Sequence, residues 1–117
     1  MKVLLIEDDE GISQIILYIL ENAGCKVLRA VDEIGILEAL DHNHISFVLM
    51  DVSLQDGDGG ELTKKIKAEK THAAVPIVLM SAHQDLKTIA QRAGAAAFLK
   101  KPFDIEDLLD LLKRFNV

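Results

Sequence analysis

The stretch Val3-Leu4-Leu5-Ile6-Glu7-Asp8-Asp9 places four apolar residues directly before three acidic ones, and it gives the first indication of the fold. Apolar residues that do not alternate with polar ones predict a strand buried on both faces, as in a parallel sheet. The next apolar residues recur at helical spacings of three and four and are expected to face the core: Ile12, Ile15, Ile16, Ile19 and Leu20. The chain therefore begins with a strand followed by a helix.

The same strand-then-helix pattern recurs through the rest of the sequence. Further strands are predicted over residues 26–29, 45–50, 77–80 and 95–99, joined by helices over about 32–40, 60–70 and 85–93, with a last helix from 104 onward. Residues 55–60, rich in glycine and aspartate, are predicted to form a loop. Five such units in sequence predict an α/β fold, a five-stranded parallel sheet with helices on both faces.

Helix ends and faces follow from local patterns. Asp32 and Asp104 stand at N-cap positions, and Gly24 and Gly94 stand where a helix ends with a left-handed residue. The apolar residues expected to face the core are Ile34, Leu37 and Leu40 in the second helix, and Ile105, Leu108, Leu109, Leu112 and Phe115 in the last. Leu111, at the edge of the last stripe, is expected to extend a partner surface.

Composition limits the class of protein. The 117 residues are 50% hydrophobic and 27% charged, which fits one globular domain over residues 1–117. No apolar run approaches the ~20 residues of a membrane helix, and no export signal is present, so a cytoplasmic location without membrane contact is expected. The net charge of −6 argues against direct nucleic-acid binding. The single cysteine, Cys25, fits a reducing compartment and a place in the core.

Polar groups follow four of the predicted strands at the point where each strand ends: Glu7-Asp8-Asp9, Asp51, Ser81 and Lys100-Lys101-Pro102. The carboxyl ends of parallel strands meet at one edge of a sheet, where ligands bind. Three carboxylates, a hydroxyl and an ammonium group are therefore expected to lie together there.

The four histidines lack metal-ligand spacing and are expected at the surface: His42, His44, His72 and His83.

The crowded acids require a compensating charge. Two carboxylates ~4 Å apart repel by about 4 kcal/mol at an effective dielectric of ~20, so a proton, a lysine or a cation must relieve Glu7, Asp8 and Asp51. Oxygen ligands without histidine or cysteine suit Mg²⁺. A carboxylate beside Mg²⁺, lysine and a hydroxyl is suited to phosphoryl transfer, with Asp51 as the nucleophile and an acyl phosphate as the product.

Across nearly its whole length the chain resembles the receiver domain of bacterial two-component response regulators. The matching segments are Leu4-Leu5-Ile6-Glu7-Asp8-Asp9-Glu10, Val48-Leu49-Met50-Asp51-Val52-Ser53-Leu54, Asp58-Gly59, Pro76-Ile77-Val78-Leu79-Met80-Ser81-Ala82 and Lys101-Pro102-Phe103. The resemblance implies the flavodoxin-like, doubly wound strand order 2-1-3-4-5. It also implies a cis peptide bond between Lys101 and Pro102.

The resemblance implies a role for each matching residue. Asp51 corresponds to the phosphoacceptor, and Lys101 to the lysine that assists it. The magnesium ligands would be Asp8 directly, Glu7 through water, Asp51, and the backbone carbonyl of Ser53. Ser81 and Phe98 correspond to the hydroxyl and the aromatic residue that switch on phosphorylation.

At the level of function, the resemblance implies a phosphorylation-dependent signalling switch. The domain would accept a phosphoryl group from a histidine kinase or phosphotransfer protein and would catalyse its own phosphorylation and dephosphorylation, without being an enzyme on other substrates. It would signal to a downstream target or output domain through its fourth helix, fifth strand and last helix.

The sequence departs from the family pattern at three places. Gln55, followed by Asp56, stands where proline is frequent; the segment between Ser81 and Lys101 is short; and Phe98 replaces the commoner tyrosine.

Other functions remain open at this point. A flavin- or nucleotide-binding domain of the same topology would need a phosphate cradle after the first strand, where Glu7-Asp8-Asp9 would repel phosphate. A non-phosphorylated interaction module would have no need of the acidic cluster. The chain is interpreted either as a stand-alone receiver or as a receiver cut from a longer regulator or hybrid kinase.

Overall fold

The computed structural model describes residues 1–55 and 57–115. Asp56, one of the departures from the family pattern, and residues 116–117 lie outside the described part. The strands are β1 (Lys2–Ile6), β2 (Lys26–Arg29), β3 (Phe47–Asp51), β4 (Ser53–Leu54), β5 (Gly57–Asp58), β6 (Ile77–Ser81) and β7 (Ala97–Lys100). The helices are α1 (Glu10–Asn22), α2 (Glu33–His42), α3 (Gly59–Ala68), α4 (Leu86–Ala93) and α5 (Ile105–Phe115).

Five of the strands form one parallel sheet in the order β2-β1-β3-β6-β7. This arrangement confirms the predicted fold, because β6 and β7 are the fourth and fifth strands of the sequence prediction. The fold is flavodoxin-like and doubly wound, with β3 at the centre of the sheet. Since each crossover returns the chain to the same end of the sheet, the carboxyl ends of all five strands share one edge.

Helices cover both faces of the sheet and create two hydrophobic cores. Val3 and Leu5 of β1 point to the face packed by α1 and α5, whereas Leu4 and Ile6 point to the face packed by α2, α3 and α4. Every residue of β3 and β6 is buried. The two-sided burial explains why these strands read as continuous apolar runs.

Side chains at the helix ends satisfy backbone groups as the sequence predicts. The Asp32 carboxylate accepts a hydrogen bond from the Gly35 N–H (2.8 Å), and the Asp104 carboxylate accepts one from the Asp107 N–H (2.9 Å). Gly94 adopts the left-handed conformation at the end of α4, with φ of 81°, and Gly24 has φ of 89°. The predicted caps and glycine stops are therefore confirmed.

A small antiparallel hairpin overlaps the predicted loop of residues 55–60: β4 directly precedes that segment and β5 lies within it. Ser53 pairs with Asp58 and Leu54 pairs with Gly57, and α3 begins directly afterwards. The prediction missed the hairpin because strands of two residues carry no readable alternation.

Three residues predicted to face the core are instead exposed: Ile15 in α1, Ile34 in α2 and Ile105 in α5. Each lies at the margin of its helix stripe, and the sheet covers only one sector of each helix. Leu111, predicted to extend a partner surface, is buried with 7% exposure and belongs to the core on the face of the sheet covered by α1 and α5. The stripe of α5 is thus rotated toward Leu111 and away from Ile105.

His72, predicted to lie at the surface, is also buried. Its imidazole Nε2 lies 2.8 Å from the Asp41 carboxylate, which ties the segment after α3 to the end of α2.

Cys25 is buried as predicted, and burial raises the pKa of its thiol. Among the helices of residues 1–55 and 57–115, none has the length and apolar character needed to span a membrane.

Candidate functional site

The predicted site residues meet at the carboxyl edge of the sheet. Asp51 is the last residue of β3 and Ser81 is the last residue of β6, while Glu7 follows β1 directly. The strand register pairs Asp51 with Met80 and Ser81 with Lys100, so the ends of three neighbouring strands lie level with one another. The sequence prediction that these groups share one edge is therefore matched by the topology.

The carboxylate of Asp51 is held by two donors. Its Oδ1 accepts a hydrogen bond from the backbone N–H of Ser53 (2.9 Å), and its Oδ2 accepts one from the ammonium group of Lys101 (2.7 Å). The residue is 8% exposed and lies in the central strand. The Asp51 carboxylate is thus held in a fixed orientation at the end of the central strand.

Lys101 joins the two buried acids. Its Nζ donates hydrogen bonds to both Glu7 Oε1 and Asp51 Oδ2, and its backbone N–H donates to the Ser81 carbonyl (2.9 Å). The Lys101–Pro102 peptide bond is cis, as the family resemblance implied. The sequence indicated that a proton, a lysine or a cation must relieve the crowded acids. In the structure the Lys101 ammonium group lies between the Glu7 and Asp51 carboxylates.

Burial and pairing shift the pKa values of these groups in opposing ways. Burial raises the pKa of Glu7, aided by the nearby Asp51 carboxylate, and the Lys101 ammonium only partly offsets this. Burial alone would lower the pKa of Lys101, but its hydrogen bonds to Asp51 and Glu7 outweigh that effect and raise it. Lys101 therefore stays charged at neutral pH.

Asp8 is exposed, and its carboxylate turns toward the loop after β3. Its Oδ2 accepts a hydrogen bond from the backbone N–H of Gln55, 47 residues away. In the described part of the chain, no three His, Cys, Asp or Glu side chains converge on one metal position. Lys101 links Glu7 to Asp51, and the Asp8 carboxylate contacts the backbone N–H of Gln55. No residue pattern predicts the Gln55 contact, because every residue except proline carries a backbone N–H.

Ser81 and Phe98, the two predicted switch residues, occupy different environments. The Ser81 hydroxyl oxygen is buried and accepts a hydrogen bond from the His83 N–H (2.9 Å). His83 is itself fixed by a hydrogen bond from the Asp85 N–H to its Nδ1 (3.0 Å). Phe98 lies on β7 and is 43% exposed. The structure thus places the hydroxyl near the cleft and the aromatic ring at the surface.

Gly59 fixes the backbone at Asp51. Its N–H donates to the Val52 carbonyl (2.7 Å), and a Cβ at this position would lie 2.2 Å from the Asp51 carbonyl oxygen. Asp58 caps α3 by accepting hydrogen bonds from Gly60 and Glu61. The sequence pair Asp58-Gly59 therefore has a physical reason, since α3 can begin this close to β3 only at a glycine.

The sequence matches the response regulator receiver domain family over residues 3–113. The chain belongs to this family. Receiver domains of this kind are parts of two-component response regulators, and this receiver domain shares the fold of chemotaxis regulators. The assignment agrees with the acidic cluster, lysine and cis proline found at the carboxyl edge of the sheet.

Individual relatives agree with the family match. The receiver domain is 34% identical over 116 residues to the transcriptional regulatory protein CrdR of Helicobacter pylori, covering 97% of this chain and 54% of CrdR. The chemotaxis response regulator CheY4 of Vibrio cholerae superposes with a TM-score of 0.86 at 28% identity, with 97% of each chain covered.

A further solved structure is the receiver domain of the sensor histidine kinase PA1611 of Pseudomonas aeruginosa PAO1. It superposes with a TM-score of 0.85 at 28% identity, covering 97% of this chain and 95% of that one. That structure holds a magnesium ion coordinated in its active site cleft. The chain spans about half the length of CrdR and about a quarter of several larger regulators that it matches.

Proposed function

We propose that this receiver domain is a phosphorylation-controlled switch that accepts a phosphoryl group on Asp51. The observation that carries the proposal is the environment of the Asp51 carboxylate, which is held by the Ser53 N–H and the Lys101 ammonium beside a second buried acid, Glu7. A carboxylate oriented by donors and paired with a cation is suited to act as an oxygen nucleophile.

In the proposed reaction an Asp51 oxygen attacks the phosphorus atom of the donor group. A new oxygen–phosphorus bond forms as the bond from phosphorus to the donor's leaving group breaks, and the leaving group takes the electron pair. Lys101 lies 2.7 Å from Asp51 and would remain beside the transferred group, where its positive charge offsets the charge of the phosphoryl oxygens. Attack of water on the acyl phosphate would regenerate Asp51, so the domain acts on itself.

The residues at this edge fit Mg²⁺. All of the proposed ligands are oxygens: the carboxylates of Glu7, Asp8 and Asp51 and the backbone carbonyl of Ser53. The raised pKa of Glu7 supports the fit, because a buried acid with incomplete compensation gains from a nearby cation. When bound, the ion would supply further neutralisation of the transferring phosphoryl group.

Ser81 and Phe98 are proposed to transmit the change. The Ser81 hydroxyl accepts the His83 N–H and has its own proton free for a phosphoryl oxygen. Phe98 on β7 is partly exposed and lines a surface depression with residues of α5, so a change in its rotamer would reshape the proposed partner surface of α4, β7 and α5. A phosphoryl group that favours one arrangement would shift the population toward it.

The proposed partners are a histidine kinase or phosphotransfer protein as phosphoryl donor and a downstream protein target or output domain as receiver of the signal. Residues 1–117 would act as one receiver domain in this scheme, whether alone or within a longer regulator. The family membership supports signalling by protein contact.

Mass spectrometry of the intact protein tests the proposal. After incubation with acetyl phosphate and Mg²⁺, we expect an adduct of one phosphoryl group, absent when Mg²⁺ is removed by chelation. The variant Asp51→Asn keeps the size of the side chain and removes the nucleophile, so it is expected to show no adduct. An adduct of equal amount in that variant, or none in the wild type, would refute the proposed function and favour an interaction module without phosphorylation.

A further inference from the structure

The hairpin after β3 presents two backbone donors to the acidic cluster. In an extended segment the N–H groups of residues i and i+2 point to the same side. Ser53 and Gln55 are spaced in this way, and their N–H groups donate to the carboxylates of Asp51 and Asp8 respectively. Ser53 of β4 and the turn residue Gln55 that follows β4 thus contact two acids, one at the end of β3 and one two residues after β1.

The other side of this segment is fixed to the protein. Leu54 and Ser53 pair with Gly57 and Asp58 of β5, and the Gly59 N–H donates to the Val52 carbonyl (2.7 Å). The two donors that face the acids are therefore carried by an anchored backbone rather than by flexible side chains. An anchored pair of donors can set the distance and orientation of the two carboxylates.

The Gln55 contact depends on an unusual feature of this sequence. Proline is frequent at this position in the family that the chain resembles, and proline has no backbone N–H to donate. Within residues 1–55 and 57–115, the Gln55 N–H is the one hydrogen-bond donor to the Asp8 side chain. Asp8 is exposed, so without this donor its carboxylate would be free to rotate into solvent.

We propose that the backbone N–H of Gln55 is a positioning group that holds Asp8 for metal binding. Gln55 occupies one oxygen of the Asp8 carboxylate and leaves the other available to Mg²⁺, which binds carboxylates through single oxygens and benefits when the ligand is already oriented. This inference rests on the proposed function, because it takes Asp8 as a ligand. Under this proposal the backbone N–H of residue 55 strengthens the binding of Mg²⁺ by this chain.

The test is a titration of the protein with Mg²⁺ alone, followed by NMR shifts of backbone amides at the strand ends. Gln55→Pro removes the donor, and we expect the Kd for Mg²⁺ to rise about tenfold, the size of effect typical of lost outer-shell partners. Gln55→Ala keeps the N–H and changes only the side chain, so its Kd is expected to stay within about twofold of wild type, because the N–H to Asp8 is retained. An unchanged Kd in Gln55→Pro, or an equal rise in both variants, would overturn the inference.

A second measurement covers the case in which Gln55→Pro does not fold. In Asp8→Asn the charged acceptor is lost, so the amide proton of Gln55 is expected to move upfield and to exchange faster with solvent. An unchanged Gln55 amide signal would show that the contact is not formed, and would overturn the inference. Failure of the wild-type protein itself to bind Mg²⁺ would instead refute the proposed metal site, which separates the two claims.

Discussion

Lys101 shows at the scale of a residue how the cluster tolerates its acids. Its ammonium group contacts both Glu7 and Asp51, which are nearly inaccessible to solvent, and it is itself mostly buried. Lysine and carboxylates buried together are strongly coupled, so removing one partner leaves an uncompensated charge. The adjacent Lys100 is exposed and offers a matched comparison.

We predict that Lys101→Met lowers the free energy of unfolding in the absence of Mg²⁺ by about 3 kcal/mol, because Glu7 and Asp51 lose their shared cation. Lys100→Met removes the same charge from the protein surface and is expected to change the free energy by no more than about 0.5 kcal/mol. Urea denaturation of both variants measures the difference. Equal effects of the two substitutions would contradict the buried pairing.

Glu7 gives a prediction about pH. Its pKa is raised above the ordinary value of 4.5, so the folded state retains a proton that the unfolded state has released. A raised pKa of this kind contributes stability that is present below the unfolded value and lost as pH rises through the folded value. Replacing the Glu7 carboxyl by an amide removes this contribution to the free energy of unfolding, which in the wild type falls as pH rises from the unfolded to the folded pKa value.

In Glu7→Gln, the free energy of unfolding without divalent ions is therefore expected to rise relative to wild type as pH increases above about 4.5. Urea denaturation at a series of pH values, with chelator present, gives the two curves. Glu21→Gln, at an exposed position of α1, serves as the control and is expected to run parallel to wild type. If the Glu7→Gln curve also ran parallel to the wild-type curve, the Glu7 carboxyl of the wild type would titrate alike in the folded and unfolded states, which would contradict the raised pKa.

At the scale of an element, the junction between β3 and α3 depends on close backbone contact. Gly59 begins α3 against the carbonyl of Asp51, with room for a hydrogen and none for a methyl group. Because that carbonyl belongs to the backbone, it cannot move aside as a flexible side chain would. The position of the helix and the position of the proposed phosphoacceptor are thus linked.

We expect Gly59→Ala to destabilise the protein by about 1–3 kcal/mol, as overpacking does, and to slow the proposed phosphorylation of Asp51. Gly11→Ala is the control, since Gly11 also lies in the first turn of a helix but would meet only the Asp9 side chain at 3.3 Å. Thermal unfolding and mass spectrometry provide the two readouts. A Gly59→Ala protein as stable and as reactive as Gly11→Ala would contradict the role given to the contact.

The orientation of α5 gives another prediction at this scale. Leu111 is buried in the core on the face of the sheet covered by α1 and α5, whereas Ile105 is 57% exposed. Leu111→Ala is therefore expected to lower the free energy of unfolding by about 3 kcal/mol, and Ile105→Ala by about 0.5 kcal/mol. Chemical denaturation of the two variants distinguishes this orientation from the one predicted by periodicity alone, which would reverse their order.

For the whole molecule, the sequence was most informative where burial is complete. The strands β1, β3 and β6 are covered on both faces, so their apolar runs identified them directly. Helix faces were less certain, because a 3.6-residue repeat defines a stripe whose edges depend on neighbouring elements. Ile34 was misplaced for this reason, and the hairpin of β4 and β5 was missed because it is too short to have a pattern.

The same distinction applies to the site. Side chains that follow consecutive parallel strands had to share an edge of the sheet, so the meeting of Glu7, Asp51 and Lys101 followed from topology. The backbone donors to Asp51 and Asp8 come from Ser53 and Gln55 respectively, and no residue pattern predicts these contacts. The buried pairing of His72 was also unpredictable, since it joins two segments that are distant in sequence.

Among the clustered acids, Asp51 is proposed to take the phosphoryl group. Sodium borohydride reduces an acyl phosphate of aspartate to homoserine, so treatment of the phosphorylated protein followed by tandem mass spectrometry locates the phosphorylated residue. We expect homoserine at position 51, dependent on acetyl phosphate and Mg²⁺. Reduction at position 7 or 8, or a phosphoryl group carried by another kind of side chain, would contradict it.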